Sequence, residues 1–216
     1  MDSQFSRTEL LLGKEGMEKL KKSEVAVFGI GGVGSFASEA LVRSGLGSIV
    51  LVDYDIIDVS NLNRQIHATS KTIGLLKTEV MKGRLLEINP SLNINIINEC
   101  YTDENKYNLL DSRYDYIIDA IDMVSSKISL IENSKALNIP IISCMGAGNK
   151  LNPTMFQVGD IYKTDTCPLA KIMRKELRKR GIKDLKVVWS KEKPIKVNLE
   201  KDNIRKAVPG SISFVP

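Results

Sequence analysis

Residues 25–34, VAVFGIGGVG, decide the fold of this chain. The four apolar residues predict a short buried strand, and the glycines that follow match the pattern GxGxxG directly before a predicted helix over 35–44. Glycine allows a tight turn and lets backbone N–H groups approach phosphate, which the helix N-terminus also favours electrostatically. The stretch therefore predicts a nucleotide-binding turn, with a purely structural turn as the alternative. The residues assigned to the nucleotide are Gly29, Gly31, Gly32 and Gly34.

Predicted strands and helices alternate on either side of this turn. A helix through Leu20 precedes it, and further strands are predicted over 48–52, 93–97, 116–118 and 140–144, with helices over 77–89 and 125–137. Such alternation is typical of an α/β, Rossmann-like fold, in which helices cover both faces of a mostly parallel sheet.

A change of pattern after Gly148 predicts two parts. Residues 1–150 would form an ATP-binding adenylation domain with an N-terminal helical arm, and 151–216 a smaller C-terminal extension with short strands and a basic helix. No closing element follows this extension, so we expect the natural chain to continue beyond Pro216.

Composition excludes several other classes of protein. Hydrophobic residues make up 43% of the 216 positions and charged residues 26%, which is ordinary for a globular protein. No apolar run approaches the roughly 18–20 residues that span a bilayer, and the N-terminus lacks a signal-peptide pattern. The three cysteines are far apart and form no CxxC pair, which argues against a disulfide framework and a structural zinc site. A cytoplasmic protein without membrane insertion is expected.

Positive charge is concentrated near the C-terminus. The net charge is +5, and residues 171–186 contain eight basic and two acidic side chains, which account for the whole surplus. Leu169, Ile172, Met173 and Leu177 are predicted to form an apolar stripe of a helix whose other face is basic. Such a patch indicates a localised anionic partner, although a solvated charged face is the ordinary alternative.

Charged residues after the glycine turn favour ATP over a dinucleotide. Attack at the α-phosphorus of a triphosphate develops charge that cations and a metal must stabilise, and Arg64 and Lys77 supply two such cations. Asp53, at the end of the second strand, suits ribose hydroxyls of either nucleotide. Asp119 and Asp122 follow the fourth strand, where a carboxylate could hold Mg²⁺.

Five motifs in this order, GxGGVG, DYD, SNLNRQ, GLLKTEV and DAID, resemble the ThiF/MoeB/HesA superfamily, which has the fold of ubiquitin-activating enzymes. The resemblance implies that Asp53 binds the ATP ribose, Asn61 and Arg64 the phosphates, Lys77 the triphosphate and Asp122 the Mg²⁺ ion. It also places Asp55 in the nucleotide site.

The resemblance extends to the sequence FSR at residues 5–7, near the N-terminus. Arg7 is similar to a family arginine that reaches into the site of the partner subunit, which implies a homodimer. The catalytic residues implied are then Arg7, Arg64, Lys77 and Asp122.

The C-terminal third resembles one branch of that superfamily, the tRNA threonylcarbamoyladenosine dehydratases. The zinc-binding CxxC pairs of members that activate ubiquitin-like proteins are replaced by YKTDTCPLA and the basic stretch after it, and the chain ends in PGSISFVP. The branch implies that ATP adenylates the threonyl carboxylate of threonylcarbamoyladenosine in tRNA, and that the carbamoyl oxygen then closes a ring with loss of water. Because this attack is intramolecular, no covalent enzyme intermediate is required. The cations then expected to contact the tRNA backbone are Lys171, Arg174, Lys175, Arg178, Lys179 and Arg180.

The same resemblance names a monovalent cation (K⁺ or Na⁺) and a cysteine desulfurase or sulfur-acceptor system as candidate partners. Three other functions stay open: activation of the C-terminus of a ubiquitin-like or sulfur-carrier protein, a non-catalytic nucleotide-sensing or sulfur-transfer adaptor, and a dehydrogenase. His67 and Cys167 are interpreted as structural residues rather than as catalytic ones.

Overall fold

The computed structural model describes residues 3–196 and 209–215. Its strands are β1 (Glu24–Phe28), β2 (Ser48–Val52), β3 (Asn93–Ile97), β4 (Tyr116–Asp119), β5 (Ile141–Cys144), β6 (Phe156–Asp160) and β7 (Lys186–Ser190). Its helices are α1 (Ser6–Lys22), α2 (Gly32–Arg43), α3 (Lys77–Ile88), α4 (Lys106–Leu109), α5 (Val124–Ala136) and α6 (Pro168–Lys179). Pro216, beyond which further chain is expected, lies outside the described residues.

The seven strands form one sheet in the order β3-β2-β1-β4-β5-β7-β6. All neighbours are parallel except β6 and β7, which pair antiparallel. The predicted Rossmann-like, mostly parallel α/β fold is therefore confirmed. The predicted boundary at residue 150 falls in the loop after β5, and β6 and β7 on its far side continue the same sheet.

Alternation along β1 explains why both faces of the sheet are covered. Val25 and Val27 point to one face, where they belong to a core cluster with residues of α2 and α3. Ala26 and Phe28 point to the other, where the cluster includes residues of α5 and α6. Because residues 25–28 of β1 are apolar at successive positions, the strand needs helices on both faces, since each face must be removed from water.

Three features of the helices differ from the prediction. Helix α2 begins at Gly32 rather than Ser35, so the last part of the glycine pattern already belongs to the helix. The short helix α4 is not predicted. Within α1, Gly13 has a φ of +70° and interrupts the helical geometry.

The order of the strands determines where a ligand fits. Chain connections run outward in opposite directions from β1 and β4, which leaves a crevice beyond the carboxyl ends of these strands. Residues 209–215 return to this end of the sheet: Asn149 N–H donates to Gly210 O (2.7 Å), and Gly210 N–H donates to Asn149 Oδ1 (2.6 Å). Among the described residues, no helix is long and apolar enough to cross a bilayer.

Candidate active site

A cleft of about 540 Å³ lies at the carboxyl ends of β1, β2, β4 and β5. Its nucleotide end, as we name the part formed after β1, β2 and β4, brings together most of the residues that the sequence assigns to ATP. These are Gly29, Gly31, Gly32, Asp53, Asp55, Asn61, Arg64, Lys77 and Asp122.

The glycines of the turn have two different roles. A Cβ atom at Gly29, whose φ is +88°, would lie 2.7 Å from Ala120 O, and one at Gly34 would lie 1.8 Å from Gly29 O. Both positions therefore need glycine for packing, and Gly34 is not among the residues that line the cleft. A Cβ at Gly31 would meet only Gln65 Nε2, at 3.9 Å, so the open side of the turn is here.

Asp53 holds the glycine turn in place. Its Oδ2 accepts a hydrogen bond from Ile30 N–H (2.6 Å), and its Oδ1 accepts one from Asp55 N–H (2.8 Å). Burial raises the pKa of this carboxyl above its usual range, while the charge of Lys77 opposes the shift. Each oxygen retains a second lone pair, so ribose hydroxyls could still donate to this side chain.

Lys77 is the first residue of α3, yet its side chain is buried in the cleft. Its Nζ lies 2.7 Å from Asp55 Oδ2, and 7% of the lysine side chain is exposed against 47% of that of Asp55. A buried ammonium needs a nearby anion, and Asp55 supplies it here. An incoming phosphate would meet a lysine that is already fixed in position.

Asn61 is the last residue of the 3₁₀ turn Val59–Asn61, and Arg64 lies three residues after it. Asn61 Oδ1 accepts a hydrogen bond from Asp58 N–H (3.1 Å), which fixes the asparagine in a capping box. Arg64 Nη1 donates to Ser60 O (2.8 Å) and to Asn63 Oδ1 (3.0 Å). These two bonds occupy one guanidinium nitrogen and leave other N–H groups for an anion.

The structure separates the two aspartates that follow β4. Asp119 is fully buried and paired with Lys127 at 2.8 Å. Asp122 is exposed and lines the cleft. Of the two sequence candidates for Mg²⁺, Asp122 is therefore the one that a metal could reach.

A second group of lining residues is absent from the sequence prediction. Residues 99–101 follow β3, residues 144–148 comprise the last residue of β5 and the loop after it, and Pro209 and Ser211 belong to the returning segment. Burial raises the pKa of the Cys144 thiol to about 11. The signal that could have identified the first two groups is their position after predicted parallel strands, because ligands of such sheets bind at the carboxyl ends. No local signal places 209–211 here.

Three other residues named by the sequence lie away from the lining. Arg7 is exposed on α1 and is not among the lining residues. Cys167 is buried before α6. His67 is buried, neither ring nitrogen has a hydrogen-bond partner among the described residues, and burial, followed by the charges of Lys77 and Arg84, lowers its pKa to about 4.

The predicted apolar stripe of α6 is wrong at Ile172. That residue is 48% exposed, and the buried stripe consists of Ala170, Met173 and Leu177. At 100° per residue, positions 170, 173 and 177 share one direction toward the core, and Ile172 lies to its side.

The predicted basic face of α6 contains cations in two states. Lys171 and Lys175 are exposed and form no ion pair among the described residues. Arg178 is also exposed and its guanidinium carbon lies 5.0 Å from the centre of the Tyr162 ring. The other three make internal contacts: Arg174 with Thr164, Lys179 with Glu176, and Arg180 with Glu132 and Glu176.

Comparisons with known proteins identify the family of this chain. A sequence profile of the ThiF family matches residues 5–183. The chain is 49% identical over 224 residues to the tRNA threonylcarbamoyladenosine dehydratase of Bacillus subtilis, and the match covers 99% of this chain and 88% of that protein.

Solved structures give the same result. The complex of Escherichia coli tRNA N6-threonylcarbamoyladenosine dehydratase, TcdA, with AMP is similar at a TM-score of 0.89 and 34% identity, over 98% of this chain and 87% of that one. The ATP complex of TcdA matches at a TM-score of 0.87 and 35% identity, over 98% and 86% of the two chains. The fold is therefore that of proteins solved with adenine nucleotides bound.

Proposed function

The chain belongs to the ThiF family, and from this we propose that it is an ATP-dependent tRNA threonylcarbamoyladenosine dehydratase. The observation that carries the proposal is the convergence of the glycine turn, Arg64, Lys77 and Asp122 in one cleft. Such a set suits charge development on a triphosphate better than hydride transfer, which needs no such cations.

The first step is adenylation of the threonyl carboxylate. A carboxylate oxygen attacks the α-phosphorus of ATP, a P–O bond forms to give the acyl adenylate, and pyrophosphate leaves. The backbone N–H groups at the start of α2 face the phosphates, and Arg64 and Lys77 stabilise the charge that develops on them. Because Asp55 and the neighbouring backbone already hold these cations, little reorganisation is needed at the moment of reaction.

Magnesium fits the residues of this site. Asp122 presents an exposed carboxylate to the cleft and accepts no hydrogen bond from the described residues, and Mg²⁺ commonly combines one or two carboxylates with substrate phosphates. Bound there, it would neutralise charge on the phosphates. The role of Asp122 is then to hold the ion at the phosphate side of the cleft.

The second step closes the ring. The carbamoyl oxygen attacks the activated carbonyl carbon, AMP departs with the C–O bond that breaks, and a proton is lost from the carbamoyl nitrogen, so that one water is removed overall. The reacting groups belong to the same nucleoside, so their effective concentration is high. Residues 144–148 together with Pro209 and Ser211 form the part of the cleft wall available to this nucleoside.

The tRNA backbone is proposed to contact α6. Support comes from Lys171, Lys175 and Arg178, whose side chains are exposed on the same helix that contributes Leu169 to the lining of the cleft. Exposed cations on one helix suit a phosphate backbone and predict strong salt dependence. Arg174, Lys179 and Arg180 would contribute less directly, because their charged groups already contact other residues.

Other parts of the proposal depend on the sequence alone. A homodimer in which Arg7 completes the partner site, a monovalent cation and a cysteine desulfurase or sulfur-acceptor system follow from the resemblance. The division at residue 150 follows from the change of pattern after Gly148, and a location in the cytoplasm follows from the composition. Each stays a prediction.

The test is incubation with tRNA that carries threonylcarbamoyladenosine and with ATP and Mg²⁺, followed by mass analysis of the nucleosides. We expect a product lighter by one water, with AMP and pyrophosphate formed in equal amounts. An unchanged nucleoside, together with adenylation of the C-terminus of a sulfur-carrier protein, would instead establish the alternative function of carrier-protein activation. A Lys77→Met variant serves as the inactive control.

A further inference from the structure

We infer that Lys127 is a positioning residue that, through Asp119 and Ser143, aims Asp122 into the cleft. None of these three side chains needs to contact the substrate or the nucleotide. The inference rests on the proposed function, because it assigns a purpose to the direction in which Asp122 points.

The three side chains form a closed polar cluster beneath the cleft. Lys127 Nζ lies 2.8 Å from Asp119 Oδ2, and both side chains have no exposed surface. Ser143 Oγ donates to the same Oδ2 at 2.6 Å and accepts a hydrogen bond from Lys127 Nζ at 3.2 Å. The charges are thus removed from water and compensate each other.

This cluster joins three elements that meet at the site. Asp119 ends β4, Lys127 lies in the first turns of α5, and Ser143 lies in β5 next to a residue that lines the cleft. The other carboxylate oxygen of Asp119, Oδ1, accepts a hydrogen bond from Ile121 N–H at 3.2 Å. The carboxylate that Lys127 holds therefore also holds the turn that carries Asp122.

The opposite side of the turn is fixed by the neighbouring strand. Ala120 N–H donates to Phe28 O at 2.8 Å, and Ala120 O packs so closely on Gly29 that no Cβ fits between them. The backbone of 119–121 is consequently attached to both β1 and the buried cluster. Asp122 is the first residue beyond these attachments, and its direction depends on them.

Stability alone gives no reason to bury this ion pair. Replacing a buried pair by well-packed apolar side chains of similar volume is often neutral or stabilising. Apolar side chains would, however, provide no oxygen to accept the Ile121 N–H. The property that requires a buried carboxylate with its own cation is therefore the geometry of the turn, as for residues that orient the ligands of a metal.

A pair of double variants tests the inference. Asp119→Leu/Lys127→Met removes both buried charges together, which avoids leaving one uncompensated, and it also removes the oxygen that accepts a hydrogen bond from Ile121 N–H. Lys135→Met/Asp184→Asn is the matched control, because it removes an exposed ion pair of 2.6 Å from the same helix. Ser143→Ala keeps the ion pair and removes only the bridging hydroxyl; it decides the question if the first variant does not fold.

Three measurements distinguish positioning from a structural role: thermal unfolding, amide hydrogen exchange at residues 120–122, and turnover as a function of Mg²⁺ concentration. In the buried-pair variant we expect a melting temperature near that of the wild type, faster exchange confined to the turn, and turnover or Mg²⁺ affinity lower by about 10- to 100-fold. Ser143→Ala should change exchange in the turn, and turnover or Mg²⁺ affinity, in the same direction but by less. The control variant should match the wild type in all three measurements.

Wild-type exchange in the turn, or a folded variant in which both turnover and Mg²⁺ affinity equal those of the wild type, would overturn the inference. Failure of the proposed function is distinguishable from this result. In that case the wild type itself leaves the tRNA nucleoside unchanged, while the exchange measurement still reports whether the cluster holds the turn.

Discussion

Charged side chains are held in opposite ways at the nucleotide end of the cleft and on the basic face of α6. Lys77 is buried against Asp55, and Asp53 is fixed by two backbone N–H groups. Lys171 and Lys175 extend into solvent. The first arrangement is preorganised and shielded, which suits stabilisation of a transition state. The second is flexible and screened by salt, which suits attraction of a large polyanion.

The largest expected effect tests the preorganised region. Lys77→Met should lower turnover by about 10²- to 10³-fold, the usual cost of removing one group that stabilises developing charge. The unfolding free energy should change much less, because Asp55 is about half exposed and can be solvated once its partner is removed. Single-turnover rates and thermal unfolding measure the two effects.

Asp55→Asn is the control for that variant, since it leaves the lysine in place and removes its anion. A smaller loss of turnover is expected, because the phosphates of ATP would then neutralise Lys77. Equal losses in the two variants would contradict the view that the lysine alone meets the substrate.

The second effect concerns His67, which is buried outside the lining of the cleft. Its folded-state pKa of about 4 lies below the ordinary value of 6.5, so the unfolded chain binds the extra proton more readily. Stability is therefore complete above about pH 6.5 and is lost as the pH falls toward 4, by at most about 3 kcal/mol. Urea unfolding between pH 4 and 7 measures the loss.

A His67→Gln variant should lose this pH dependence, because glutamine does not titrate. A control at the exposed face, Lys175→Ala, should keep the wild-type pH profile. If His67→Gln retains the full slope, another group must be responsible for it.

The third effect belongs to the exposed face of α6. Removing both cations in Lys171→Ala/Lys175→Ala should weaken tRNA binding by roughly tenfold per lysine at about 0.1 M salt, and should lower the slope of log K against log [salt] by about two. Affinity for ATP should not change, because neither residue lines the cleft. Filter binding over a salt series gives both quantities. An unchanged slope would show that the tRNA does not contact this face.

The nucleotide end of the cleft and the basic face of α6 also differ in how much of their structure the sequence predicts. The positions of Gly29 and Asp53 depend on a strand, a tight turn and backbone hydrogen bonds close in the sequence, so the motif predicts their meeting. The returning residues 209–211 reach the cleft through contacts with Asn149, which no local pattern reveals.

On α6 the helix and its charge are predictable, but the state of each side chain is not. Arg174 and Lys175 are adjacent in the sequence, and only the rotation of the helix against Thr164 makes the arginine an internal hydrogen-bond donor. For the same reason the sequence does not reveal the role of Lys127. A single lysine at the start of a helix is ordinarily solvated, and the burial of this one depends on Asp119 and Ser143, which lie on two different strands.

The smallest effect on function is expected at Arg174, and it separates the two kinds of cation most sharply. Its Nη1 donates to Thr164 O at 2.9 Å and also contacts Thr164 Oγ1, and the side chain is half-buried. Arg174→Ala should therefore destabilise the fold by about 1.5–3 kcal/mol, the range for a hydrogen bond that involves a charged group, while tRNA affinity and its salt slope change little. If each cation of α6 acted only through its charge, the opposite result would follow: Arg174→Ala would weaken tRNA binding as much as Lys175→Ala does and would leave the stability of the fold unchanged. Thermal unfolding and salt-dependent tRNA binding, measured on Arg174→Ala and Lys175→Ala side by side, decide between the two.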